Sequence, residues 1–442
     1  MSFLLADWRD RPTHRRVWAL AAPMILSNIS VPLVALVDST VIGHLPHAHQ
    51  LGAVAVGASL YIYLAWMMGF LRMGTTGFAA QAAGRGDGTA LRQILVQGLL
   101  LGLGLSLFLA AIALPFSRVA LSVMQPSPEL HDMTLAFFHN RLFGLPASLA
   151  SYALVGWFLG AQNARAPLAI LLTTNLMNIA LNLWFVLGLD WGVVGSARAS
   201  VIAEWSGALL GLWLTRGALR AYPGKMAWGA LRVWQNWKPL LGVNRDIFIR
   251  SLLLQSVFFA ITVQGARLGD ATVAANALLL NGLLLTAHAL DGLAHAVEAL
   301  CGHAIGARDR TALRRSMVVA CGWSLLASAL FALLFLLGGH WFVEMQTDIA
   351  SVRETAFQYL PYLAVLPLIA VWSYLLDGLF IGATRAREMR NAMLLSVAIA
   401  FPVALALQGD GNHGLWISFL LFMVLRSGIL GLYATRIRWF TS

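Results

Sequence analysis

Charge is scarce in this chain. Only 11% of its 442 residues are Asp, Glu, Lys or Arg, while 59% are hydrophobic and the mean hydropathy is +0.74. A water-soluble globule of this length needs far more ionisable surface, so the composition excludes one and leaves an integral membrane protein. Cysteine is scarcer still: Cys301 and Cys321 lie in or beside apolar stretches with no partner spacing. They read as small packing residues, which excludes a disulfide framework and a thiolate metal cluster. No glycine-rich phosphate loop, His/Cys metal cluster or Ser/His/Asp set stands in register on any loop, so an enzyme, a resident metal and a bound cofactor all lack support. Acids are outnumbered 19 to 30 by Lys plus Arg, for a net charge of +11 and a pI near 10.4. The bases nevertheless fall in short clusters between apolar spans, the pattern of topology signals rather than of a nucleic-acid face. Nothing has the form of a cleavable leader, because MSFLLADWRDRPTHRR runs straight into a span too long for one.

Long apolar runs are what the chain does have. They fall near 17–42, 51–80, 91–115, 133–160, 166–189, 192–216, 240–268, 271–305, 313–338, 352–383, 389–408 and 413–436, which predicts twelve transmembrane helices. The one long polar stretch, 217–239, stands at the middle. A repeat explains its place: AAGRGDGTALRQ (82–93) returns as AIGARDRTALRR (304–315), and GWFLGAQNAR (156–165) returns as GLFIGATRAR (378–387), both at an offset of 222. Two segments sharing one offset divide the chain into an N-lobe (1–216, helices 1–6), a linker (217–239) and a C-lobe (240–442, helices 7–12). Six helices per half is an even number, so the repeat is parallel. Twenty-one of the 30 Lys and Arg residues fall on the termini and even-numbered loops, so both termini are expected in the cytoplasm.

Against this background individual polar residues stand out. Asp38 lies near the end of the first span, which also carries Pro23 and Pro32. An intramembrane carboxylate costs roughly 2.5–3.5 kcal/mol on insertion scales and usually faces a cavity, and a proline-bent helix can move it; the alternatives are that Asp38 caps the helix and the prolines shape packing. Asn175, Asn178 and Asn182, spaced three and four apart, share one face of the fifth helix and either line a polar cavity or hold a neighbouring helix. On the eighth, His288, Asp291, His295 and Glu298 fall within about 80° of one another. They span roughly 15 Å of helix rise, too far to ligate one ion, so they read as a cavity wall or as polar packing against Arg250 or Arg72. Arg72, Arg141, Arg250 and Arg426 also fall within spans and are expected to pair with buried acids, with Glu204 and Asp246 as candidate partners, or to snorkel to an interface.

APMILSNISVPLVALVDSTVIGHL, the GWFLGAQNARAP turn, the NxxxN pair, NRDIFIRSLLLQ and YLLDGLFIGATRAREMRNAM together resemble the multidrug and toxic compound extrusion (MATE) family, in its DinF-like branch, over essentially the whole chain. The resemblance implies two six-helix lobes and alternating access driven by proton or sodium entry. It places the family's first-helix carboxylate on Asp38, its helix-bending proline on Pro23, its fifth-helix Asn-xxx-Asp pair on Asn178 and Asn182, and a sixth-helix hydroxyl on Ser200. Two positions depart: Asn182 replaces a carboxylate and Ser200 a threonine, which would leave Asp38 to carry N-lobe coupling alone. The helix-seven glutamate of sodium-type members falls on Gln255, and Asp377 matches a C-lobe acid. The expected function is therefore efflux of small amphipathic, mostly cationic organic compounds by proton-coupled antiport across the cytoplasmic (inner) membrane. The protein would act as a monomer in the lipid bilayer, with H+ as its coupling ion. A sodium-coupled exporter and a flippase for a lipid-linked substrate of the same superfamily are the alternatives. The topology is testable: single cysteines replacing Gln50, Glu129 and Asp348 should label from outside and ones replacing Asp87, Lys225 and Arg308 only from inside, after removal of Cys301 and Cys321. Outside labelling at 225 would overturn the orientation.

Overall fold

The computed structural model describes residues 6–43, 48–124, 127–437 and 439; the side chains at 31–39, 42–43, 48, 120 and 123–124, Asp38 and Pro32 among them, lie outside the described set. The regular structure among the described residues is entirely helical. We label the α-helices α1 (Arg11–Gly43), α2 (Ala48–Trp66), α3 (Phe70–Gly84), α4 (Gly88–Met124), α5 (Pro128–Leu142), α6 (Leu145–Gly160), α7 (Arg165–Asn182), α8 (Gly192–Arg220), α9 (Lys238–Arg267), α10 (Asp270–Gly306), α11 (Arg310–Glu344), α12 (Ala350–Gly382), α13 (Ala386–Ala406) and α14 (Gly411–Arg436). A 3-10 turn at Met67–Gly69 joins α2 to α3, and α5 meets α6 at a 46° bend. Counting each of these pairs as one crossing gives the twelve rods expected from the sequence. By length and hydropathy eight described stretches qualify as spans, or nine with the bent pair, and one of the eight, Ala386–Arg436, holds both α13 and α14. Large apolar side chains such as Leu336 and Leu337 are 67% and 76% exposed. In water such helices would be anomalous; against lipid tails this is the expected solvent match.

The 222-residue repeat is physical as well as textual. Asp87 accepts a hydrogen bond from the Ala90 amide at 2.9 Å, and Asp309 does the same for Ala312 at 2.9 Å, each carboxylate meeting an orphan N–H at a helix start. The left-handed turn residues correspond too: Gly86 (φ 68°) with Arg308 (φ 56°), and Gln162 (φ 63°) with Thr384 (φ 57°). Glycine adopts that conformation without penalty, whereas a side chain costs about 1–2 kcal/mol there, so the first half is the less strained copy at Gly86.

The same register governs helix packing. A Cβ on Gly156 would stand 2.3 Å from the Arg72 carbonyl oxygen, and one on Gly160 2.6 Å from the Ala80 nitrogen and 2.7 Å from the Thr76 oxygen. In the second half, a Cβ on Gly378 would stand 2.7 Å from the Ala294 oxygen, and one on Gly382 2.5 Å from the Glu298 oxygen and 2.9 Å from the Gly302 nitrogen. Each partner is the earlier one moved on by 222 residues. So α6 lies on α3 as α12 lies on α10, backbone to backbone, because lipid gives no hydrophobic reward for helix association and close van der Waals approach must supply it.

Two compact units emerge, one comprising Met1–Ile25 with Leu241–Ser442, the other Leu26–Leu240. This differs from the expected division in two respects. The stretch 217–239 belongs with the preceding helices, and α1 passes from one unit to the other two residues after Pro23. Side-chain chemistry explains the second difference. Asp7 pairs with Arg314 at 2.6 Å and Arg315 at 3.4 Å, the Trp8 ring occupies the space a Gly322 side chain would take, and the Trp323 indole N–H donates to His14 Nδ1 at 2.9 Å. Further along, Ala21 and Ile25 press on Gly292. The hydrogen bond from Arg314 holds the Asp7 carboxyl below its ordinary value, so this tie contributes above the unfolded carboxyl's titration range and is lost as pH falls through the folded one.

Gly156→Ala and Gly382→Ala should each lower stability by roughly 1–3 kcal/mol, the usual range for overpacking, read as a drop in thermal unfolding temperature in detergent. Gly104→Ala, where a Cβ meets nothing within 4 Å, should leave the transition unchanged or raise it slightly.

Candidate functional site

In the unit Leu26–Leu240, α7 presents Asn175, Asn178 and Asn182 at the spacing that puts them on one face. Asn182 Nδ2 donates to Asn178 Oδ1 at 3.1 Å, and Asn178 Nδ2 donates to Ser200 Oγ on α8 at 2.9 Å. One turn earlier, Asn175 Nδ2 donates to Ser30 Oγ on α1 at 2.7 Å. Asn178 is 7% and Asn182 0% exposed, so this amide–amide–hydroxyl chain carries polarity into the protein without carrying net charge. Immediately after Asn182 the helix widens into a π turn, Leu183–Gly188. Such turns are uncommon and frequently accompany functional sites; the short LWFVLG run gave no periodic signal for it. Asp38 lies on α1, its side chain outside the described residues.

A second polar group stands one helical turn from Ser200. Glu204 pairs with Arg141 at 2.8 Å and accepts from the Tyr61 hydroxyl at 3.2 Å, while the Arg141 guanidinium lies 3.9 Å above the Tyr61 ring. The sequence marked Glu204 as a candidate partner for the intramembrane arginines without saying which one, and it did not show the seat: a Cβ on Gly144 would fall 1.9 Å from Glu204 Oε2, and Gly144 occupies the bend between α5 and α6. Glycine there makes room for the carboxylate.

In the other unit three buried charges meet. Arg250 on α9 and Arg426 on α14 both direct Nη2 onto Oδ2 of Asp377 on α12. The arginines were expected to find acids, yet Asp246, one of the two candidates, instead pairs with Arg245 at 3.0 Å and Arg390 at 2.8 Å. Sequence spacing could not reveal this, since the partners lie 127 and 49 positions from Asp377. The α10 stripe borders the triad, because Gly378 packs on Ala294 and Asp291 interacts electrostatically with Arg250. His295 and Glu298 are buried at 7% and 3% exposure, whereas His288 and Asp291 are half-buried. Gln255 is half-buried on α9, five positions beyond Arg250, and Pro23 is half-buried on α1. Two guanidinium groups on one carboxylate balance a large desolvation cost, and such groups tie three helices together only while all remain.

Two compact units of long apolar helices, each with a polar cluster inside it and each built on the same internal register, define a multi-pass membrane protein with an internal repeat. The MatE family matches over residues 23–184 and 247–406, in both halves of the repeat. The chain is 45% identical to DNA damage-inducible protein F of Escherichia coli (strain K12), over 94% of this chain and 90% of that one. It is 28% identical to the probable multidrug resistance protein NorM of Xanthomonas axonopodis pv. citri (strain 306), over 95% and 93%. Its fold superposes on a crystal structure of MATE in the bent conformation with a TM-score of 0.85, at 17% identity, covering 99% of this chain and 97% of that one. The chain belongs to the MatE family.

Asp377→Asn should be strongly destabilising, by about 3–5 kcal/mol, because it leaves two buried guanidinium groups with a neutral partner. Arg141→Gln should cost less, since Tyr61 still donates to Glu204. Comparing the thermal transitions of the two variants in detergent checks the order.

Proposed function

We propose that the protein exports small amphipathic, mostly cationic organic compounds across the cytoplasmic membrane by proton-coupled antiport, with both termini in the cytoplasm. Family membership and the multidrug resistance relatives support export of drugs. The charge-free Asn182–Asn178–Ser200 chain beside α1 carries the assignment of the coupling ion. As the first and fifth crossings, α1 and α7 run in the same direction. Asp38 lies eight residues past Ser30, roughly 12 Å of helix rise, and Asn182 seven past Asn175, roughly 10 Å. Since Asn175 and Ser30 touch, this arithmetic supports a level for Asp38 near that of Asn182.

Amides donate and accept with equal ease, so they hold a carboxylate or a carboxylic acid without fixing its charge as an arginine would. That is what a proton carrier requires: loading removes the cost of a buried charge, release restores it, and a carboxyl with partial burial titrates nearer the working pH. Asp377, clasped by Arg250 and Arg426, suits the opposite task of anchoring helices. With Gln255 in helix seven, the C-lobe offers no free carboxylate there for sodium. Proton loading then biases α1 between two shapes, with Pro23 as the bending point, and the ion drives the change only to the extent that it binds one shape better. Asp291 and Glu298 attract the cationic part of the substrate, an electrostatic attraction that neutral compounds do not feel.

The test is efflux of fluorescent cations from everted vesicles with a proton gradient or a sodium gradient imposed separately. Proton drive alone should suffice, Asp38→Asn should abolish it while substrate binding persists, and Asn182→Asp should shift the pH optimum. Sodium-only drive, or robust proton-driven export by Asp38→Asn, overturns the reading. Asp291→Asn and Glu298→Gln should lower export of cations more than of neutral compounds; equal losses make the α10 stripe structural.

A further inference from the structure

The stretch between α8 and α9 departs from a simple loop. Residues 217–239 hold Arg220, Lys225, Arg232 and Lys238, three tryptophans and a tyrosine, and no acid. Its backbone is fixed at both ends. Arg92 donates to the carbonyls of Tyr222 at 2.8 Å and Leu219 at 3.1 Å, and Gly224 lies against Gly88 and Thr89 so closely that a Cβ would meet the Thr89 nitrogen at 2.6 Å. At the other end Gln97 donates to the Asn236 carbonyl at 3.1 Å. Between these ties the chain folds into two 3-10 turns, Trp228–Arg232 and Trp234–Asn236. They are closed by Asn236 Nδ2 on the Ala230 carbonyl at 2.8 Å and by the Trp237 indole N–H on that of Leu231 at 2.8 Å.

What this framework displays is unusual for a tightly folded segment. Trp237 is half-buried, whereas Trp228 and Trp234 stand 67% and 61% exposed, with Val233 at 47% between them. All four cations are exposed as well. Indole rings left outside by a rigid backbone are not awaiting a place in the core. Two membrane crossings flank the segment, so it lies at a bilayer surface, the depth at which tryptophan is enriched and where a cluster of cations meets lipid phosphates.

We propose that residues 217–239 form a binding site for anionic phospholipid head groups, with Trp228, Val233 and Trp234 entering the interface and Arg220, Lys225, Arg232 and Lys238 pairing with the phosphates. The charge complementarity is one-sided: no carboxylate within the segment neutralises the four cations, and the anionic leaflet supplies the counter-charge. The rigid turns lower the entropic cost of holding the rings and cations together at the surface. This surface is independent of the coupling chemistry and stands even if the transported substrate differs.

The experiment uses the full chain, with Cys301 and Cys321 replaced by alanine and a single environment-sensitive fluorophore on Gly229→Cys, where a side chain meets nothing within 4 Å. Short-chain phosphatidylglycerol titrated into the protein in neutral detergent should shift the probe's emission to the blue. Phosphatidylcholine of the same chain length should do so far more weakly, and inorganic phosphate not at all. Arg232→Gln and Lys225→Gln should each raise the half-saturating phosphatidylglycerol concentration about fivefold, the equivalent of roughly 1 kcal/mol per cation near an anionic surface. Trp228→Ser with Trp234→Ser should remove the shift while the thermal transition stays in place. An equal response to phosphatidylcholine, no effect of removing the cations, a response to phosphate alone, or a probe as water-exposed with phosphatidylglycerol as without it would each overturn the proposal.

Discussion

Inside a bilayer there is no water to satisfy a charge or a backbone amide, so each must find its partner within the chain. The Arg250–Asp377–Arg426 triad shows how far this constraint reaches. Three ionised groups from α9, α12 and α14 are all at least nine-tenths buried, and each is tolerable only because the others are present. Removing any one exposes the desolvation cost of the rest, which makes the contact an organising one whatever its net contribution to stability. The Arg141–Glu204 pair does the same at the bend between α5 and α6, with Tyr61 and the space left by Gly144 completing its shell.

The same constraint explains the glycine crossings. Without a hydrophobic drive between helices, association depends on backbone approach, and only glycine permits a carbonyl at the distances found at Gly156, Gly160, Gly378 and Gly382. That these crossings recur with their partners at one offset shows that the repeat preserves a packing geometry, together with the Asp87 and Asp309 caps and the left-handed residues that end the preceding helices. Between the halves the charges have diverged: position 72 is arginine where 294 is alanine, and 76 is threonine where 298 is glutamate. The scaffold repeats and the polar equipment does not, as expected when chemistry is placed on a duplicated fold.

The two polar clusters divide along chemical lines. Amides and a hydroxyl in the unit Leu26–Leu240 leave charge undetermined, which suits a position where a proton comes and goes. Guanidinium clasps elsewhere settle charge, which suits anchoring. The proposal of coupling at Asp38 rather than Asp377 rests on this contrast and not on the mere presence of either acid in a span.

Membrane class, the helical rods, the repeat and the one-faced asparagine stripe were legible in the sequence because each is a periodicity or a composition, and such signals are local. The sequence also marked Arg141, Arg250 and Arg426 as charges in need of partners. It offered Glu204 and Asp246 as candidate acids but could pair neither Arg141 with Glu204 nor Arg250 and Arg426 with Asp377, since nothing local relates positions so far apart in the chain. Nor could it show that α1 changes units after Ile25, that the π turn follows Asn182, or that 217–239 is a folded segment with two of its three indoles exposed. Those facts depend on which surfaces meet in three dimensions: Trp8 in the space beside Gly322, Glu204 beside Gly144, and the hydrogen bonds of Gln97 and Arg92 to carbonyls more than a hundred residues away. Spacing along a helix fixes which residues share a face; only packing decides what that face meets.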